Sequence, residues 1–229
     1  MDFDAFKSLL KGLMQDHPVF YSEAHLQYIL ARGMADQLAV LDHKWRVYLE
    51  EKIADNEGTS MNIDIVAEFD GVPKLAVEVK YALLCNKECS KKINDAIQEK
   101  TVGRGFVRFS EKGAGGENRI RYGFWKDLHR LENFIESKGD SVVPPAGYAL
   151  FLTNNFKFLE KPGEKATDSS FSMDETQEIK ARHQLCWIGK QAGKHPPLSF
   201  RKTYNLAGAW QSWGDPGLKF KYLLLSAGK

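Results

Sequence analysis

Two runs of alternating apolar residues, Met61 to Phe69 and Lys74 to Tyr81, flank the tetrapeptide Asp70-Gly71-Val72-Pro73. Runs of this length and period, interrupted by turn formers, predict a β-hairpin. In the first run Ile63, Ile65 and Phe69 occupy one face and Asp64 shares the other with Val66. In the second, Leu75, Val77 and Val79 take one face while Glu78 and Lys80 share the opposite one. Register decides whether the charged groups meet. Residues opposite each other in an antiparallel pair point to the same face, so Asp64 and Glu78 do so only if paired positions add to an even number, such as Phe69 with Pro73 or Glu68 with Lys74. That requires a loop of odd length around Asp70-Gly71-Val72. The two-residue Asp-Gly hairpin that the dipeptide also suggests would set the acids on opposite faces.

The rest of the chain arranges itself around this pair. Phe3, Phe6, Leu9, Leu10, Leu13 and Met14 recur at helical spacing and predict a helix over 3–16, closed off by Pro18. Ser22 is a suitable N-cap for a second helix carrying Leu26, Ile29, Leu30 and Gly33. Trp45 to Ile53 reads as a further strand, Trp125 to Lys138 as a helix and Gly147 to Leu152 as a short apolar strand. Lys91 to Lys100 is a possible helix, and the glycines at 113, 115 and 116 mark a loop. Lys161 to Asp174 is polar and rich in turn formers, which predicts a surface loop, and Leu218 to Ser226 reads as a final strand. Helix, three strands, helix and strand, followed by an appendix, describe a mixed α/β fold. The domain reading is an N-terminal helix over 1–17, a core over 18–155 and an extension over 156–229 that can complete the sheet.

Composition narrows the class. With 43% hydrophobic and 27% charged residues, the 229-residue chain has the make-up of an ordinary globular protein rather than a disordered one. No run of 18 apolar residues occurs, so no membrane association is expected. The acidic start, Met1-Asp2-Phe3-Asp4, and the odd count of three cysteines point to a cytoplasmic location. A net charge of +2 is too small for a strongly cationic nucleic-acid coat, but it permits a local basic surface beside an acidic pocket.

Carboxylates gathered in a pocket repel one another and stay ionised only beside a cation. Hard oxygen donors suit Mg²⁺, for which Mn²⁺ can substitute; such an ion binds substrate phosphate and acidifies a bound water. A neighbouring lysine can orient that water, help deprotonate it or stabilise the transition state. Asp64, then Glu78-Val79-Lys80 fourteen positions later, preceded by Glu23 in Ser22-Glu23-Ala24-His25-Leu26-Gln27, resembles the PD-(D/E)XK nuclease superfamily, the restriction-endonuclease-like proteins. The resemblance covers roughly residues 20–155 and implies a restriction-endonuclease-like mixed sheet with flanking helices. It assigns Asp64, Glu78 and Glu23 to the metal and Lys80 to the nucleophilic water. Trp125 to Glu132 followed by Tyr148 to Asn154 also looks like the helix and strand beyond the motif in some members. Ile63 stands where the superfamily's proline precedes the aspartate. The implied activity is metal-dependent hydrolysis of phosphodiester bonds, with DNA as the partner and RNA left open, as is the oligomeric state. The rival reading is a non-catalytic nucleic-acid-binding or regulatory protein that keeps the fold.

Other groups are weaker candidates. Cys85 and Cys89, with His183 and Cys186, have one permitted zinc-ligand spacing but no second tight pair, so free thiols are expected. Arg104, Arg108, Lys112, Arg119 and Arg121 lie among glycines and could contact a phosphate backbone or simply be solvated. Glu68 and Gln98 are expected to be exposed, His25 to cap or pack, and Trp210 and Trp213 to mark a core or interface.

Overall fold

A computed structural model describes residues 1–17, 19–20, 22–54, 60–83, 116–137, 145–214 and 219–228. Its centre is a six-stranded mixed sheet of β1 (Trp45–Ala54), β2 (Ser60–Phe69), β3 (Val72–Ala82), β4 (Ala146–Thr153), β9 (Trp210–Trp213) and β10 (Phe220–Ser226), in the order β1-β2-β3-β4-β10-β9. Only β3 and β4 run parallel; every other neighbouring pair is antiparallel. Among the described residues three α-helices flank the sheet: α1 (Phe3–Asp16), α2 (Glu23–Leu41) and α3 (Glu117–Ser137).

Alternation divides the strands between two cores. Ile65, Ala67, Leu75, Val77, Val79, Leu150, Leu152 and Leu224 face α1 and α2, together with Phe6, Leu10, Leu26, Leu30 and Met34. Val66, Ala76, Ala149, Phe151, Leu223 and Leu225 face α3 and the C-terminal segment, against Trp125, Leu128, Leu131, Phe134, Phe171 and Met173. Burying each of the Val, Leu, Ile, Phe and Met side chains among these stabilises the fold by about 1.5–3 kcal/mol. The two faces explain why the β4 run is apolar almost throughout, since both of its sides are covered. Close packing of α3 on this strand depends on Gly147: a Cβ there would lie 3.1 Å from Ile135 Cδ1 and 3.2 Å from Leu131 Cβ.

The helices begin where local chemistry allows. Asp2 caps α1 by accepting from the Ala5 N–H, and the Ser22 hydroxyl caps α2 by accepting from the His25 N–H. α3 starts at Glu117, two turns before the apolar periodicity that begins at Trp125. Its first turns are laid down by Arg121, Tyr122 and Phe124, whose spacing is masked by the charged residues around them.

The hairpin differs from the loop that register required. Phe69 pairs with Val72, so the turn is the two-residue Asp70-Gly71, with φ of +54° and +76°. Positive φ at both central residues is the type I′ geometry that matches strand twist, and glycine reaches it without strain. The register then shifts between Glu68↔Pro73 and Ala67↔Leu75, leaving Lys74 as an extra residue in β3. This β-bulge restores the even register, Val66↔Ala76 and Ile65↔Val77, and so returns Asp64 and Glu78 to one face.

The C-terminal segment corrects a second expectation. Phe171 and Met173 are fully buried, and Asp168, Ser172 and Asp174 are buried polar groups, so 161–174 is not simply a surface loop. Trp125 Nε1–H donates to the Phe171 carbonyl at 3.1 Å, and Trp210 Nε1–H to the Met173 carbonyl at 2.7 Å. Two short ladders, β5 (Glu178–Ile179) with β8 (Tyr204–Asn205) and β6 (Gln184–Leu185) with β7 (Leu198–Ser199), tie the rest together. Trp210 and Trp213 are buried in and beside the sheet, as core residues.

Candidate active site

The chemistry-bearing residues meet where β2 and β3 part. The β2–β3 ladder ends at Ile65↔Val77, while β2 stays paired with β1 to Ser60 and β3 with β4 to Ala82. Beyond Val77 the N–H groups on the β2 side of β3 therefore need other acceptors. Asp64 Oδ2 takes the Val79 N–H at 2.7 Å, and Glu23 Oε2 takes the Tyr81 N–H at 2.8 Å. Glu23 comes from the first turn of α2, the helix on the opposite face from α3, and its carboxylate reaches the edge of β3. All four expected residues, Glu23, Asp64, Glu78 and Lys80, are thus drawn to one stretch of β3.

Two further residues, missed in the sequence, arrive from α3. Lys80 Nζ lies 3.0 Å from Asp127 Oδ2 and 3.9 Å from Glu23 Oε1. Arg130 places Nε 3.0 Å and a terminal nitrogen 2.8 Å from Glu78 Oε1, and the same terminal nitrogen lies 2.8 Å from Asp127 Oδ1. Asp127 and Arg130 are three apart, so they share a side of α3. That spacing is the one signal that could have found them, but i,i+3 acid–base pairs are common on solvated helices.

Burial sets the electrostatics. Glu78 is 1% exposed and Asp127 4%. Burial, with Asp127 and Asp64 adding repulsion, pushes the Glu78 carboxyl well above the usual glutamate range, against the pull of Arg130. Burial also lifts Asp127, although Lys80 and Arg130 oppose it, and lifts Glu23 against Lys80 and the Tyr81 N–H. For Lys80 burial works against the charge, yet Asp127 and Glu23 outweigh it and hold the ammonium above its ordinary value. Lys80 is a cation here.

Whether these groups suit a divalent ion can be tested on the atoms. Among the described residues no three acidic, histidine or cysteine side chains form a ready coordination shell. One oxygen each of Asp64 and Glu23 is committed to a strand N–H, and Glu78 Oε1 to Arg130. Glu78 Oε2, however, is buried with no hydrogen-bond partner, which ordinarily costs about 1–3 kcal/mol and more for a charged group. The uncommitted atoms are hard carboxylate oxygens, the donor type that suits Mg²⁺ or Mn²⁺, although they are not gathered into a three-residue group among the described residues.

Other expectations fare differently. Arg121 is buried, bonded to Asp168 Oδ2 at 2.8 Å and to the Lys157 carbonyl, so it braces α3 against the C-terminal segment and is not a phosphate contact. Arg119 is on the first turns of α3 rather than in a loop. Arg104, Arg108 and Lys112, with Cys85, Cys89, Gln98 and the 91–100 helix, lie outside the described residues. Cys186 is an exposed free thiol and His183 is exposed. The His25 ring packs edge-on to Phe20, and Glu68 is half-buried near the hairpin end rather than exposed. No helix among the described residues is long and apolar enough to cross a membrane.

Comparison with protein-family models, with curated proteins and with solved structures finds no match to this chain.

Proposed function

We propose that this chain is a metal-dependent nuclease of the restriction-endonuclease-like kind, hydrolysing phosphodiester bonds in DNA. The observation that carries the reading is the convergence of Asp64, Glu78, Lys80 and Glu23, from two strands and a helix, where β2 and β3 separate. Asp64, Glu78 and Glu23 would hold the ion, with Glu78 Oε2 as the open donor. When bound, the ion supplies charge stabilisation at phosphate and a more acidic water. Lys80, gripped between Asp127 and Glu23, is placed as a fixed positive donor for charge developing on phosphate rather than as a neutral base. Asp127 orients it and keeps its charge.

One observation favours the rival, non-catalytic reading: Arg130 already neutralises Glu78 and Asp127 from within the chain. A single assay separates the two. Purified protein is incubated with supercoiled plasmid, single-stranded DNA and RNA, with Mg²⁺, Mn²⁺ or EDTA. The expected result is cleavage of DNA with either ion, none in EDTA and none by Asp64→Ala. Cleavage of RNA alone would reassign the substrate. No cleavage of any substrate, together with no binding of Mn²⁺ by calorimetry, would leave the non-catalytic reading standing.

A further inference from the structure

A cleft of about 580 Å³ opens at the edge of the sheet, where β9 stops covering β10. β4 pairs with β10 as far as Ser226, but β9 pairs with it only from Phe220 to Leu223. The chain enters β9 through a turn in which Ala209 N–H donates to the Leu206 carbonyl at 3.0 Å and Gly208 has φ +66°. Leu224 and Leu225 both line the cleft, although consecutive strand residues point to opposite faces. The cleft therefore straddles the strand edge and does not lie on one face. Ala227 N–H donates to the Gly147 carbonyl of β4 at 2.8 Å. Leu225, two residues earlier, also turns its backbone groups to β4, so Leu224 and Ser226 turn theirs outward, to the side of the cleft.

Charge marks the same place. Lys7 and Lys11 reach the cleft from α1, on the Leu224 face, and Lys202 from the segment before β8, on the Leu225 face. No acidic side chain is among the described residues that line it. Two acids close by are already engaged: Asp4 lies 2.6 Å from Lys7, and Glu132 accepts from the Tyr204 hydroxyl and the Arg201 N–H, each at 2.9 Å. The Lys202 ammonium lies 5.1 Å over the Tyr204 ring and 2.6 Å from the Gly228 carbonyl. Lys11 is exposed and makes no hydrogen bond or ion pair among the described residues. An open strand edge is a template for a further strand, and cations on both of its faces favour an anionic one. A compact anion would use the lysines alone; an extended chain uses the lysines and the strand edge together.

We propose that this cleft receives an extended acidic segment of a partner polypeptide, which adds to β10 as a short strand continuing the line of β9. Its main chain pairs with the outward groups of Leu224 and Ser226. Alternate side chains of an extended segment point to opposite faces, so its carboxylates meet Lys7 and Lys11 on one side and Lys202 on the other. At ~3.4 Å per residue the open stretch of β10 accepts about three residues of the segment. The strands β3, β4 and β10 separate the cleft from the parting of β2 and β3, so it is distinct from the proposed active site.

The probe is fluorescein-labelled hexaglutamate, titrated with the full-length chain in EDTA at low salt and followed by anisotropy. Saturable binding is expected, weakened by added salt as the ion pairs are screened. Lys11→Glu, and separately Lys7→Glu combined with Lys202→Glu, are expected to weaken it by roughly tenfold or more, the worth of a hydrogen bond between charged groups. Thermal unfolding reports whether each variant is folded, and the exposed Lys11 still decides if the double variant is not. Hexaglutamate N-methylated along its backbone keeps the charge but cannot form a ladder, and is expected to bind by roughly tenfold less. Exchange of the Ser226 amide, read by nuclear magnetic resonance, should slow when hexaglutamate binds. Equal affinity for the two peptides, unchanged Ser226 exchange, or unchanged affinity in the folded lysine variants each overturns the proposal, as does an absence of binding. Adenosine triphosphate that binds more tightly than hexaglutamate, and weakens in the same lysine variants, would also overturn it by making the cleft a phosphate site.

Discussion

Lys80 and the acids around it have separable tasks, and their variants should separate in the same way. Lys80→Ala is expected to lower DNA cleavage by roughly 10²–10⁴-fold, the usual worth of a positioned proton-transfer or charge-stabilising group. Mn²⁺ and DNA binding, measured by calorimetry and in a filter assay, should stay within a few-fold of wild type. Asp64→Ala and Glu78→Ala should lose Mn²⁺ and activity together, while binding DNA as well or better, because phosphate no longer meets those acids. A Lys80→Ala chain that cleaves normally would place the chemistry elsewhere. Away from the site, Asp174 offers a pH test. Burial opposes its charge, but hydrogen bonds from Ser172 and Thr176 win and hold the carboxyl below its ordinary range. Its pKa is therefore lower folded than unfolded, so its contribution is present above the ordinary aspartate value of 3.8 and is lost as the pH falls through the folded value. Asp174→Asn should cost about 2 kcal/mol at pH 7, by the usual worth of hydrogen bonds to a charged group. That gap, read by urea denaturation, should shrink as the pH drops below 4; a gap that holds constant with pH would deny the carboxylate this role.

At the scale of the element, the β2–β3 hairpin shows how much an insertion of one residue controls. The Asp70-Gly71 turn alone would place Glu78 and Lys80 in the apolar core under α2, with Val77 and Val79 on the α3 side. The bulge at Lys74 prevents this. Deleting Lys74 is therefore expected to abolish cleavage and Mn²⁺ binding and to lower the melting temperature sharply, whereas Lys74→Ala should stay within about 0.5 kcal/mol of wild type. A deletion variant that keeps an ordinary melting curve and its activity would show that the bulge is dispensable. Gly71→Ala, at φ +76°, should cost about 1–2 kcal/mol because a Cβ is disfavoured in the left-handed region. The alternation of Asp64, Glu78 and Lys80 was legible in sequence, as was the demand for even register. The bulge was not, because nothing in the type of Lys74 marks it as the extra residue; the choice is made by burying Ile65, Val77 and Val79 on one side. Asp127 and Arg130 were equally hidden, since a helix surface becomes a site only once it is packed against a particular strand.

For the whole molecule, the C-terminal extension is part of the fold. β10 pairs with β4, and Phe171, Met173, Trp187 and Phe200 pack in the same core as Trp125 and Phe151. A chain ending at Thr153 would leave β4 as an open edge and expose that core, which makes the edge a template for aggregation. Truncation there is expected to give a collapsed state with far-UV circular dichroism but little near-UV signal, and with strong binding of a hydrophobic dye. A soluble truncated chain with a native near-UV spectrum would make the extension an independent appendage.

The sequence by itself determined the mixed α/β class, the hairpin and the two N-terminal helices, because periodicity, caps and turn formers act over a few neighbouring residues; it offered Glu23, Asp64, Glu78 and Lys80 as candidates through the spacing of a motif. The tertiary structure decided the rest. It set the bulge that puts the acids on one face, the parting of β2 and β3 that gives Asp64 and Glu23 backbone N–H groups to accept, and the arrival of Asp127 and Arg130 from α3. It also turned Asp168 and the stretch 171–174 inward, where Asp168 meets Arg121 and the Ser172 hydroxyl donates to Asp174. Each of these depends on which surfaces are buried together, and burial is a property of the packed chain that local residue patterns do not carry.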